Sequence, residues 1–497
     1  MARSPVLARW PRLADVLCGL AIGLGQAPLG LWPLALLGLA GLLARLDRSS
    51  GWRAGAWTAW RTGAAYFALT LHWIVEPFLV DVARHGWMAP FALVLMAGGL
   101  ALFWAAAGAL AGGLRPGLSR GLGFALALMS AEMLRSYVFT GFPWALIGTI
   151  WIDTHAAQTA AFWGLHGLGL ATLCILVLAR AQPLGRGLAT GAAGLALLTG
   201  LGMLRPDPPA IPPDAPVLRL VQPNAAQHLK WDPGMIPIFY ARLLDLTARP
   251  APGAPPALVI WPETAIAYRL ENAGPLLSQI AETAGDAPVV LGAVRGTPAG
   301  ATNALAVLDA TGIPAQIYDK AHLVPFGEYV PFGDLAARLG IRGLAVAEGG
   351  GFLAGPGPQV LDFGPLGRAL PLICYEAIFP NFGRARLAEA DWMLQITNDA
   401  WFGQFAGPQQ HLVLARFRAI ERGMPLVRAA NTGISTVVDA TGALTDALPL
   451  GVAGTLDAAL PPALATPPYA RLGDLPLLIA MIVSLVGLMT RSRARAH

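Results

Sequence analysis

A cysteine, a lysine and three glutamates stand at the ends of short apolar runs in the second half of this 497-residue chain. Cys374 closes "RALPLIC" and is followed by Tyr375 and Glu376; Glu263 ends "ALVIWPE"; Lys320 and Glu328 share "YDKAHLVPFGEYVP". A thiol attacks as the thiolate, so it needs a base to take its proton. The tetrahedral species that follows needs a positioned ammonium or N–H at its oxyanion. Base, cation and nucleophile on separate strand ends are the parts of an acyl-transferring cysteine enzyme. Taken singly the signals are weak. A free cysteine is more often a small core residue than a nucleophile, and the bland reading of Glu328, beside Pro331, is a solvated turn residue, although function has the edge.

Elements must bring these residues together. Across 217–463 short β-branched runs recur: "VLRLVQ", "ALVIW", "PVVLGAV", "NALAVLD", "ALPLIC", "WMLQIT" and "ISTVVD". Helical patterns at 235–248, 274–284 and 408–423 separate some of them. Strands alternating with helices and hairpins predict an α/β domain of layered sheets flanked by helices. A proline-rich linker, "RPDPPAIPPDAP" (205–216), precedes the domain and "LPPALATPP" (460–468) closes it.

The rest is membrane-like. Apolar residues make up 55%, charged residues 13%, and the mean hydropathy is +0.55, whereas soluble domains are about a quarter charged. Apolar runs at 54–79, 88–114, 119–138, 156–180, 185–204 and 474–490 approach the roughly 20 residues that a bilayer core requires. The stretch 13–44 is broken at "GQAPLG" (25–30) and reads as two short helices or a re-entrant hairpin. A signal peptide over 1–28 is the competing reading, but the apolar pattern resumes after Pro28. Arginines cluster in alternate connections: Arg3, Arg9 and Arg12; Arg45, Arg48 and Arg53; Arg115 and Arg120; Arg180 and Arg186; Arg491, Arg493 and Arg495. With eight crossings they all fall on one side, which places both termini in the cytoplasm and 205–473 outside it. The expected organisation is a helical domain of about seven spans over 1–204, the linker, the external domain and a final span at 474–490.

Several classes are excluded. The net charge of +5 comes largely from loop arginines and does not suggest nucleic acid. Three cysteines and eight histidines show no metal-ligand spacing, and His322 near Lys320 is the one suggestive histidine. The glycine-rich "RGLAVAEGGGFLAGPG" (342–357) lacks phosphate-loop spacing and reads as a flap beside the cleft.

The stretches "WPET", "YDKAHLVPFGEYVP", "ICYEAIFP", "TNDAWFG" and "RAANTGIS", in this order, resemble the apolipoprotein N-acyltransferases, bacterial membrane enzymes with a nitrilase-type domain. The likeness runs over nearly the whole chain. It implies an αββα sandwich on a transmembrane bundle, with Glu263 as general base, Lys320 steadying the tetrahedral intermediate and Cys374 carrying the acyl group as a thioester. It also implies a second essential carboxylate at Glu328 and supporting roles for Tyr375 and Glu376. Glu376 would hydrogen-bond the backbone around the nucleophile. Trp231, in "HLKWD", matches a tryptophan near the acyl-chain site, Asn303 would orient a loop at the substrate site, and Trp144 resembles a tryptophan of the membrane domain. For Trp231 the bland alternative is packing, and for Trp144 an interfacial belt. Asn398, Asp399, Trp401, Phe402 and Asn431 read as structural support for the cleft. Val324, Phe326, Tyr329, Val330 and Phe332 would suit a lipid-contacting rim, or pack inside.

The implied donor is a phospholipid, phosphatidylethanolamine in that family, and the implied acceptor is the diacylglyceryl-cysteine of an apolipoprotein. No metal or organic cofactor is required, and a monomer in the bacterial inner membrane with a periplasmic catalytic domain is expected. Two rivals stay open: a membrane-tethered amidase of the nitrilase superfamily, and a non-enzymatic lipid-binding or transport protein.

Overall fold

The computed structural model describes residues 11–331 and 351–494, with side chains described as far as Thr490. Arg3, Arg9, Phe332 and most of the glycine-rich stretch lie outside the described residues. The chain divides into two compact units, Met1–Val75 with Trp87–Pro206 and Pro467–His497, and Glu76–Gly86 with Asp207–Thr466.

The first unit is helical: α1 (Pro11–Gly23), α2 (Trp32–Asp47), α3 (Trp52–Thr70), α4 (Ala89–Gly112), α5 (Leu118–Arg135), α6 (Ala160–Arg180) and α7 (Leu184–Met203), with a long carboxy-terminal helix at Leu475–Ala494. The broken pattern at 13–44 folds as two short helices, α1 and α2. At 1.5 Å per residue α1 is about 20 Å long, less than the ~30 Å hydrocarbon core. Among the described residues three helices are long and apolar enough to cross a membrane: Val82–Gly112, His155–Arg180 and Leu184–Met203. Leu475–Thr490 is a shorter apolar helix.

Helices α3 and α4 approach through glycine: a Cβ added at Gly55 or Gly108 would collide with the carbonyl of the other. Small residues that let backbones meet are the usual device where lipid leaves no hydrophobic drive between helices. Two ionisable residues unremarked in the sequence reading, Asp15 and Arg61, are paired: fully buried Asp15 is 2.7 Å from both Arg45 and Arg61.

The second unit is a four-layer sandwich. One sheet runs β12-β1-β2-β3-β4-β5 and the other β11-β10-β9-β8-β7-β6. The first comprises β1 (Val217–Gln222), β2 (Leu258–Ile260), β3 (Val289–Thr297), β4 (Gly300–Leu308), β5 (Pro314–Asp319) and β12 (Gly454–Ala459). The second comprises β6 (Leu361–Asp362), β7 (Arg368–Ile373), β8 (Trp392–Thr397), β9 (Leu426–Ala430), β10 (Ser435–Val438) and β11 (Leu444–Leu448). Each sheet has three parallel central strands, β1-β2-β3 or β7-β8-β9, with antiparallel partners outside them.

Alternation along the strands sorts the layers. Leu218, Leu220, Leu258 and Ile260 meet Ile373, Leu394, Ile396 and Val427 between the sheets. Val259, Leu291 and Trp261 face outward onto α8 (Ile236–Thr247) and α9 (Gly274–Ala284) through Leu243, Leu246, Leu277 and Ile280. Leu370, Leu372, Met393 and Leu426 do the same against α10 (Gly407–Arg422) through Ala415 and Ala419. The three helices read from sequence are these three. The strands it lacked are β5, β6, β9, β11 and β12, several of them short or at sheet edges.

Candidate active site

Three strand ends supply the candidate groups, two from parallel strands and one from the antiparallel edge strand β5. Glu263 follows β2 by three residues, Lys320 follows β5 directly, and Cys374 follows β7 directly. All three are buried, with 6%, 1% and 5% exposure respectively. The Lys320 ammonium lies 2.9 Å from a Glu328 oxygen and 3.6 Å from a Glu263 oxygen. Asn303, on β4, donates its amide to both carboxylates, at 2.7 Å to Glu263 and 3.0 Å to Glu328. The second Glu263 oxygen accepts the Asn398 backbone N–H at 2.8 Å, and the second Glu328 oxygen accepts that of Val324 at 2.8 Å. A buried ion cluster is tolerable only when each charge is paired and hydrogen-bonded, as these are.

Electrostatics separate the roles. Burial opposes the Lys320 charge, but Glu328 and then Glu263 outweigh it and hold its pKa above the ordinary lysine value. Burial pushes the Cys374 thiol up, Glu263 pushes it further, and Lys320 opposes. A buried thiol beside a carboxylate is protonated at rest, so it must be activated by proton transfer when substrate arrives.

Cys374 sits at φ +51°, a left-handed conformation that residues other than glycine rarely adopt. Strain of this kind persists only where surrounding bonds over-determine it. Glu376, fully buried, supplies several. One oxygen accepts the N–H of Ile373 at 2.7 Å; the other accepts the Tyr318 hydroxyl and the N–H groups of Ala321 and His322 at 2.7, 2.7 and 3.0 Å. It ties the nucleophile turn to the Lys320 loop, although burial pushes its own pKa up to about 7. Tyr375 is buried, its ring 4.9 Å from that of Phe379 and 5.8 Å from that of His322.

The remaining sequence candidates fall around this centre or away from it. Trp231 is 45% exposed, with the Lys230 ammonium 5.1 Å from its ring centroid. Both line a cavity of about 420 Å³ with Ile236, Tyr240, Pro262 and Tyr268. Burial pushes Lys230 down to about 8, against the pull of Glu263. Phe326 is exposed, whereas Val324, Tyr329 and Val330 are half-buried. The glycine-rich stretch is pinned from residue 351: Phe352 donates to the Glu328 carbonyl and Gly355 to the Lys320 carbonyl, both at 2.8 Å. Trp144 belongs to the helical unit, where at 1% exposure it packs 4.7 Å from the Trp73 ring and its carbonyl accepts from Arg135 at 2.7 Å. Such burial does not fit an interfacial belt.

One neighbour had no sequence signal. His411, on α10, reaches the Cys374 carbonyl with Nε2 at 3.1 Å and Asp399 with Nδ1 at 2.9 Å. The spacing of histidines and cysteines suggests no ligand cluster, yet one atom each of Cys374, Asp399 and His411 lie within 4.8 Å of one another. Arg428 bonds the other Asp399 oxygen, so the group already holds a cation and fits a metal ion poorly.

The chain is similar to known proteins over nearly its whole length. Residues 18–178 match the family model of the apolipoprotein N-acyltransferase N-terminal domain, and 230–467 match that of the carbon-nitrogen hydrolases. The chain is 39% identical to the apolipoprotein N-acyltransferase of Caulobacter vibrioides, over 95% of this chain and 93% of that one. It is 36% identical to that of Rhodopseudomonas palustris, over 99% of each, and 36% identical to that of Brucella melitensis, over 100% and 99%. The chain belongs to the apolipoprotein N-acyltransferase family.

Proposed function

We propose that this protein transfers a fatty acyl chain from a phospholipid, through a thioester on Cys374, to the α-amine of the diacylglyceryl-cysteine that begins an apolipoprotein. The observation that carries the reading is the buried cluster of Glu263, Lys320 and Glu328, with contacts of 2.9 and 3.6 Å, together with a buried Cys374 held in a left-handed turn at the end of β7. Glu263 takes the thiol proton as sulfur attacks the ester carbonyl. The carbon–oxygen bond breaks, and the lysophospholipid oxygen leaves with that proton. The acceptor amine then attacks the thioester, gives its proton to Glu263, and the thiolate departs to regain it. Lys320 faces the oxyanion in both halves. Two substrates that use one covalent intermediate in turn give ping-pong kinetics.

The donor is taken to be phosphatidylethanolamine and the enzyme a monomer of the inner membrane. Its helices cross about eight times, both termini are cytoplasmic, and the catalytic domain over 217–463 is periplasmic, as the arginine distribution supports. Drawing an acyl chain into water costs about 0.8 kcal/mol per CH₂, which is a reason for such a catalyst to be membrane-bound. Trp231 and the cavity beside Glu263 suit acyl-chain contact, Trp144 serves the membrane domain, and Asn303 aligns the two carboxylates.

Intact-mass analysis after incubation with phosphatidylethanolamine tests the reading. An acyl adduct is expected on the native protein, absent in Cys374→Ala and slow to form in Glu263→Gln and Lys320→Ala. An unchanged adduct in Cys374→Ala overturns it. Release of free fatty acid in place of an N-acylated peptide would instead favour the amidase.

A further inference from the structure

We propose that His411 is a positioning residue for Cys374, one of two arms that run from the buried Arg428 guanidinium to the Cys374 carbonyl. The inference rests on the assignment of Cys374 as nucleophile. In the first arm, Arg428 donates to the Gln395 amide oxygen at 2.6 Å, and Gln395 Nε2 donates to the Cys374 carbonyl at 3.1 Å. In the second, Arg428 donates to Asp399, whose other oxygen meets His411 Nδ1 at 2.9 Å while His411 Nε2 faces the same carbonyl at 3.1 Å. Thr397 also donates to Asp399, at 2.9 Å. Gln395, Asp399, His411 and Arg428 are all fully buried.

A carbonyl oxygen cannot donate, so the 3.1 Å contact holds Cys374 when His411 Nε2 carries the proton. Without that proton Nε2 would accept from Gln395 Nε2, 3.3 Å away; the proposed arm has the proton on Nε2. Nδ1 then either carries a second proton to Asp399 or accepts from Arg428 Nη2, which lies 3.2 Å away. Burial, then Arg428, lowers the His411 pKa and favours the singly protonated ring. In both of these forms Nε2–H points at the Cys374 carbonyl, whereas a ring protonated on Nδ1 alone would bond Asp399 and Gln395 instead.

The carbonyl of Cys374 and the N–H of Tyr375 share one rigid peptide plane. Two donors on that oxygen therefore fix the plane and, with it, the left-handed turn that presents the sulfur. An N–H aimed from such a plane is also the kind of donor that an oxyanion needs. A histidine that merely filled space would require neither the carbonyl contact nor the Asp399–Arg428 support.

The substitutions His411→Gln and His411→Asn separate these alternatives in the full-length protein. Glutamine places an amide near the Nε2 position and keeps the bond to Cys374, whereas asparagine reaches only as far as Nδ1 and loses it. The readouts are kcat and KM for acyl transfer, the alkylation rate of Cys374 by iodoacetamide followed by peptide mass, and thermal unfolding. His411→Gln should stay within about fivefold of native kcat, and His411→Asn should fall roughly a hundredfold at unchanged KM. Alkylation should also slow in His411→Asn, with unfolding temperatures matching between the two variants. Equal losses in both variants, a loss confined to KM, or native kcat in His411→Asn overturns the proposal. Should neither variant accumulate as folded protein, Gln395→Met tests the other arm, with lower kcat at native KM supporting the device and native kcat refuting it. Alkylation reports on the thiol itself, so the comparison still decides the role of His411 if no phospholipid adduct forms.

Discussion

The Lys320 ammonium is closer to Glu328, at 2.9 Å, than to Glu263, at 3.6 Å. On the proposed mechanism the two carboxylates divide the work: Glu328 holds the cation, and Glu263, farther from it, takes the thiol proton. Asn303 bridges the two, donating to both. Glu328→Gln preserves shape and removes the charge that most strongly supports Lys320 against burial. We expect the rate of acyl-adduct formation to fall about ten- to a hundredfold with the fold intact, since charge-assisted hydrogen bonds are worth about 1.5–3 kcal/mol. Stopped-time mass analysis of Cys374 checks it, and a native rate would remove Glu328 from the mechanism.

Gly292 on β3 leaves no room for a side chain. A Cβ there would stand 2.6 Å from the Glu263 Cα and 2.5 Å from the Thr264 nitrogen. Gly292→Ala should displace the base from Lys320 and cost about 1–3 kcal/mol of stability as overpacking. Adduct formation should suffer more than the unfolding temperature does. A variant equally active and equally stable would show that the strand relaxes freely.

The thiol sets a pH dependence. Burial and Glu263 raise the Cys374 pKa, so the folded protein keeps the proton on sulfur through neutrality and the thiolate fraction grows as pH rises. Alkylation of Cys374 by iodoacetamide should therefore accelerate about tenfold per pH unit between pH 7 and 9, without a plateau. The two other cysteines, Cys18 and Cys174, are resolved from it by peptide mass. A plateau below pH 8 would mean a preformed thiolate and would reverse the sign of this argument.

Arg219 and Asp457 join β1 to β12 at the edge of the first sheet. Their two bonds are both 2.7 Å, and Arg219 also donates to the Thr247 carbonyl at 2.8 Å. Removing one partner of a buried pair leaves the other charge uncompensated, which costs about 3–5 kcal/mol. Asp457→Ala should destabilise the catalytic unit by that order in denaturant titration, while paired replacement by apolar residues should cost much less. Equal costs for the single and double replacements would contradict the pair's role.

Helices α8, α9 and α10 and most central strands were legible because each buries a face, and burial leaves a period in the chain. Strands β6 and β11 were not: β6 has two residues, and β11 is largely exposed, so neither carries an apolar alternation. Residues 76–86, between α3 and α4, join the catalytic unit, and nothing in their composition announces it. A Cβ on Gly403 would meet the Glu76 side chain at 2.6 Å, so this loop packs on the turn that carries Asp399.

By itself the chain determined the parts: a membrane-like composition, an α/β domain between prolines, and a thiol, a base and a cation at strand ends. Those are local properties, written in residue type and period. Which carboxylate holds Lys320, which donors grip the Cys374 carbonyl, and that His411, 37 residues away, is among them were decided only by the fold. Hydrogen bonds depend on distance and direction between side chains remote in sequence, and only the packed sheets set both.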